Sequence, residues 1–100
     1  MLHTINKSPF DRNSLASCLR TAPDGGAILF IEDGVYATAK GTTFSGDVEG
    51  ALKNQKVFVL GPDLAARGIA EDKLIDGISV VDYSGFVDLV EEFGTVQSWL

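Results

Sequence analysis

Six side chains in this sequence have types suited to chemistry: Cys18, His3 and the carboxylates Glu32, Asp33, Asp63 and Asp82. Cys18 is the sole cysteine, so it forms no intrachain disulfide and no thiolate metal site by itself. A lone thiol is a nucleophile, a carrier of sulfane sulfur or simply a small hydrophobe. His3 is the sole histidine and has no Ser or Cys beside it; it acts as an acid–base group only if the fold supplies a partner, and otherwise packs in a strand or at an interface. The four carboxylates stand near the ends of apolar runs, an arrangement compatible with a metal or phosphoacceptor pocket. Each has a structural reading as well. Asp33 precedes Gly34 in a turn, and Asp63 and Asp82 stand at helix starts, where a carboxylate satisfies orphan amides. We expect neither a metal nor a cofactor.

Other phosphate and redox chemistries lack their residues. A dinucleotide site needs G-x-G-x-x-G at a strand-to-helix turn, whereas Gly25-Gly26 precedes a strand. No glycine run leads into Lys followed by Ser or Thr, and thioredoxin chemistry needs the second thiol of C-x-x-C to resolve a mixed disulfide.

The elements that must position these residues follow from short apolar runs. Leu2 to Ile5, Ala27 to Ile31, Val57 to Leu60 and Ile78 to Val81 read as strands, mostly unbroken apolar as in sheets covered on both faces. Between the first two, Ser8 reads as an N-cap with Pro9 at the first helical position, and Leu15, Cys18, Leu19 and Ala22 follow at helical spacing. With Leu15 at the centre of that stripe, Cys18 falls about 60° to one side, on the flank of the buried face. Pro23-Asp24-Gly25-Gly26 ends the helix. Val48, Ala51 and Leu52 mark a weaker helix interrupted by Gly46 and Gly50, and Asp63 caps a short one through Ala66 that ends at Gly68. After Asp82, the stripe Tyr83, Phe86, Val87, Val90 and Phe93 is the best amphipathic pattern in the chain, closed by Gly94. Val96 to Leu100 adds a terminal edge strand. The prediction is an α/β fold: a small three-layer domain, residues 1–100, with a mostly parallel sheet of four or five strands and right-handed crossovers.

The chain has 100 residues, 45% hydrophobic and 22% charged, which is ordinary for one globular domain. Eight basic against fourteen acidic residues give a net charge of -6, the wrong sign for neutralising phosphates, so direct nucleic-acid binding is not expected. No apolar stretch reaches the length of a signal core or a membrane span, and a single free cysteine suits a reducing compartment; the cytoplasm is the expected location. A domain this small buries only part of its apolar surface alone, so association with other chains is expected.

The ordered motifs resemble a known family. Leu2-His3-Thr4 with Ser8-Pro9, Glu32-Asp33-Gly34-Val35-Tyr36-Ala37, Val59-Leu60-Gly61-Pro62-Asp63-Leu64 with Ala66-Arg67-Gly68, and Val81-Asp82-Tyr83 with Gly85-Phe86-Val87 are similar to the DsrH/TusB family of sulfur-relay subunits. The resemblance implies a DsrE/F/H-like fold and assembly with two homologous sister subunits, DsrE/TusD-like and DsrF/TusC-like, into a dimer of heterotrimers. It also implies persulfide transfer, either toward 2-thiouridine at the tRNA wobble position or within cytoplasmic sulfur oxidation, through a small carrier of the DsrC/TusE type. In such assemblies the principal sulfur-carrying cysteine lies on a sister, in a segment ending at Arg-Gly; the comparable Gly61 to Gly68 here contains none. Asn13-Ser14-Leu15 with Ser17-Cys18-Leu19, Gly77 to Tyr83 and the ending Val96 to Leu100 resemble the sulfur-oxidation branch, which tends to keep a cysteine where Cys18 stands. The resemblance thus places this chain first in sulfur oxidation with a DsrC-type carrier, with tRNA thiolation as the alternative. Cys18 remains a candidate persulfide carrier beside a purely structural docking role, and homo-oligomers are expected when the sisters are absent.

Overall fold

The computed structural model describes residues 1–100. Five strands, β1 Leu2–Ile5, β2 Ala27–Phe30, β3 Lys56–Leu60, β4 Ser79–Val81 and β5 Val96–Trp99, form one sheet in the order β4-β3-β2-β1-β5, every pairing parallel. Four α-helices connect them: α1 Ser14–Thr21, α2 Ser45–Ala51, α3 Gly61–Ala66 and α4 Tyr83–Phe93. The α/β reading and the parallel sheet are therefore correct, and the terminal segment supplies the fifth strand.

The register aligns Ile5 with Phe30, Val59 and Val80, and Thr4 with Leu29, Phe58 and Ser79. Alternate residues along a strand face opposite sides, so these rows belong to different layers. The Ile5 row joins the larger core, where α1, α2 and α3 contribute Leu15, Cys18, Val48 and Leu64. On the other side only α4 covers the sheet, setting Leu89 against Leu2, Ala27 and Leu29. The three layers are unequal: several elements on one face, one helix on the other.

Local departures from expectation have local causes. The first helix starts at Ser14 rather than after Ser8. Ser8 instead folds a turn, its Oγ accepting from the Phe10 N–H at 3.2 Å and its carbonyl from the Asp11 and Arg12 amides, which is the competition hydroxyl residues offer to a helix start. Glu32–Thr38 forms a 3₁₀ segment where only a turn at Asp33-Gly34 was expected. Gly34 lies so close to the end of β1 that a Cβ there would overlap the Ile5 carbonyl oxygen, and Thr38 Oγ1 donates to the Val35 carbonyl at 2.6 Å. Helix α3 begins at Gly61, so Asp63 lies inside the first turn and does not cap it. Asp82 does cap α4, accepting from the Gly85 N–H at 2.8 Å, and Gly94 ends the helix at φ 74°, the left-handed conformation glycine adopts freely.

Candidate functional site

Cys18 is fully buried, at 0% exposure. Its predicted place on the flank of α1 is corrected: Cys18 and Leu15 are both buried while Leu19 is only half-buried, so the helix turns its Cys18 side into the core. Burial pushes the thiol up to about 11. At pH 7.5 only about 0.03% of such a thiol is ionised, and the thiolate is the form that attacks a persulfide or a disulfide. Cys18 lies past the first turn of α1, away from its N-terminal amides, and burial is the cause of the shift.

His3 is 3% exposed, and its Nδ1 accepts a hydrogen bond from Trp99 Nε1 at 3.0 Å. That bond fixes the neutral tautomer with its proton on Nε2, which has no partner. Burial, reinforced by the Met1 ammonium, lowers the imidazole pKa, so the neutral acceptor form is the one the fold selects. The pair joins β1 to β5 side chain to side chain. Here the histidine acts as a latch holding the edge strand.

The carboxylates of Asp33, Asp63 and Asp82 are engaged individually, while Glu32 takes part through its backbone N–H. Asp63 Oδ2 accepts from the Glu32 N–H at 2.6 Å, and Asp33 Oδ1 receives Arg67 Nε at 2.9 Å. Arg67 Nη1 also donates to the Asp63 carbonyl at 3.3 Å, while Asp82 caps α4. Glu32 has φ 49°, a left-handed conformation uncommon for a residue with a side chain, and the Asp63 contact holds it there. No group of three or more His, Cys, Asp or Glu side chains converges on a common point. The segment Gly61 to Gly68, where the resemblance puts a sister's sulfur-carrying cysteine, is thus tied to the 3₁₀ segment through Asp63 and Arg67 and offers no nucleophile. Arg67 and Trp99 organise this chain's buried and strand-end contacts, yet sequence reasoning gave neither a partner. Arg67 meets Asp33 across 34 positions and Trp99 meets His3 across 96, separations at which no local pattern operates.

Part of the α4 stripe remains exposed. Of the α4 stripe, Phe86 and Phe93 pack inward with Leu89, whereas Tyr83, Val87 and Val90 are exposed at 62, 57 and 37%. With Phe86 and Glu91 they line an open groove of about 460 Å³. No helix is long and apolar enough to cross a membrane.

Comparison with known proteins bears on the fold and the family. A family profile described as DsrH like protein matches residues 7–96. Protein TusB of Pectobacterium parmentieri is 36% identical over 101 residues, covering 99% of this chain and 100% of that protein. Protein TusB of Shigella flexneri is 32% identical over 99 residues with the same coverage. Among solved structures, a protein of unknown function from Methanobacterium thermoautotrophicum superposes with a TM-score of 0.77 at 21% identity, covering 97% of this chain and 96% of that one. A Thermotoga maritima protein superposes with a TM-score of 0.64 at 22% identity, covering 92% and 93%. These structural likenesses establish a common fold. With a family profile spanning most of the chain and curated relatives above 30% identity along all of it, this protein belongs to the DsrH/TusB family of sulfur-relay subunits.

Proposed function

We propose that this chain is a docking subunit of a TusB-type sulfur relay serving thiolation of the tRNA wobble uridine, without sulfur chemistry of its own. The burial of Cys18 carries the second half of this reading: a thiol at 0% exposure with its pKa near 11 is a poor acceptor of sulfane sulfur. The names of the full-length relatives carry the first half, and they turn the preference away from the sulfur-oxidation branch that the sequence motifs favoured. Its partners are two homologous sister subunits of the TusD and TusC types and a TusE-type carrier. Sulfur then passes over the sisters' cysteines, while this chain completes the assembly and shapes the surface on which the carrier docks. The location is the cytoplasm, and the wobble base meets another protein.

A strain lacking its own TusB tests the pathway. Expression of this chain should restore 2-thiouridine in its tRNA, as read by nucleoside mass spectrometry, and Cys18→Ala should restore it equally. Failure of the unmodified chain to restore the base would defeat the tRNA reading. Restoration that is lost with Cys18→Ala, in a variant with an unchanged melting temperature, would move Cys18 from the core into the relay.

A further inference from the structure

The terminal strand lies at an edge of the sheet and is lightly held. β5 pairs on one side only, with β1, and Val96, Gln97, Ser98 and Leu100 are exposed, whereas every residue of β1 and β2 is buried. Trp99 is the one β5 side chain that packs against the larger core, and its indole N–H donates to His3 Nδ1 at 3.0 Å. The remaining side-chain ties are Thr4 Oγ1 to Ser98 Oγ at 3.3 Å and Ser14 Oγ to the Leu100 carbonyl at 3.0 Å. Gly94, at φ 74°, turns the chain between α4 and β5, so a hinge stands at the root of the strand.

His3 shares its face with Ile5, Ile28 and Trp99, because it stands opposite Ile28 in the register and two residues from Ile5. What lies around it is neutral or positive. β2 and β5 contain no ionisable residue, α1 turns the neutral Cys18 thiol inward and carries its one charge, Arg20, in solvent, and the Met1 ammonium acts on the imidazole. Asp88, Glu91 and Glu92 belong to α4, on the other face of the sheet. A proton on Nδ1 therefore meets the Trp99 N–H donor to donor, and no carboxylate of β2, β5 or α1 receives it. Water would satisfy both groups if the strand came away. We propose that β5 is a pH-released strap: protonation of His3 breaks its bond to Trp99 and frees residues 96–100 from the β1 edge, while β1 to β4 stay paired. The direction follows from linkage. Burial and the Met1 ammonium hold the docked imidazole below its ordinary 6.5, and release returns it toward that value, so acid favours the open form in the interval between the two. The device is independent of the relay reading and regulates access to the main-chain edge of β1.

Trp99 is the only tryptophan, so its emission reports on this strand alone. From pH 7.5 to pH 5.5 the emission maximum of the full chain should move to longer wavelength and acrylamide quenching should rise, equally at two protein concentrations, since the release happens within one chain. Over the same interval hydrogen exchange, corrected for its intrinsic pH dependence, should show protection of the β5 amides falling about tenfold while β2 and β3 amides keep theirs. His3→Gln, whose amide oxygen accepts from the indole without titrating, should keep Trp99 docked at both pH values. Trp99→Phe removes the N–H and should loosen β5 at both pH values and weaken its pH dependence in hydrogen exchange. The measurements on the unmodified chain decide the release even where a variant fails to fold. Emission and exchange that do not change between the two pH values overturn the strap. Loss of β2 and β3 protection in step with β5 also overturns it, because that is global unfolding. Acid release that persists undiminished in folded His3→Gln would assign the transition to another group and remove His3 from the device.

Discussion

Cys18 and His3 are the two residues whose chemistry the fold suppresses. In Cys18 burial alone raises the thiol to about 11, so iodoacetamide at pH 8 should label the folded protein far more slowly than the urea-unfolded chain, as followed by mass spectrometry. Cys18→Ser places a hydroxyl in an apolar core without a partner and should lower stability by about 1 to 3 kcal/mol in urea titrations, with Cys18→Ala less damaging. Cys18→Ser with full stability would mean the thiol faces solvent. His3 titrates in the opposite sense from a histidine paired with an acid. Its folded pKa lies below the ordinary 6.5, so the latch contributes fully above that pH and is lost as pH falls from about 6.5 through the lowered folded value, where the unfolded chain binds the proton first. Stability measured from pH 8 to pH 5 should decline on the acid side, and His3→Gln should flatten that decline.

At the scale of elements, two contacts define the ends of the fold's connections. Asp82→Ala removes the carboxylate that receives the Gly85 N–H and should cost about 1 kcal/mol, with the loss confined to α4 in hydrogen exchange. Gly34→Ala is far more severe, because the new methyl would occupy the place of the Ile5 carbonyl oxygen and push the 3₁₀ segment off β1. We expect a loss of several kcal/mol or failure to fold, seen as a collapse of the thermal transition. Sequence alone reads these two positions very differently. Asp82 precedes a strong amphipathic stripe and announces its cap, since capping is a contact between residues a turn apart. Gly34 reads as an ordinary Asp-Gly turn, because the carbonyl that forbids a side chain comes from a strand 29 residues earlier. The Ser8-Pro9 start failed for a related reason: an N-cap and a hydroxyl turn use the same side chain, and nothing within the segment distinguishes them.

For the whole molecule, net charge makes the broadest prediction. At -6 the chain should show no salt-sensitive binding of tRNA at micromolar concentration in gel shift, even if it serves tRNA thiolation as proposed. The sequence by itself determined the layer order, the parallel sheet, the acid balance and the family. Each of these is carried by runs of like residues or by motif order and survives small errors in boundaries. Tertiary structure alone decided that Cys18 points into the core rather than along its flank, that Asp63 serves the Glu32 amide and not its own helix, and that half of the α4 stripe faces outward. A helical period states that one face of α4 is apolar. How much of that face the sheet can cover depends on strand order, which places β4 and β5 at opposite edges and leaves one helix to span the distance between them.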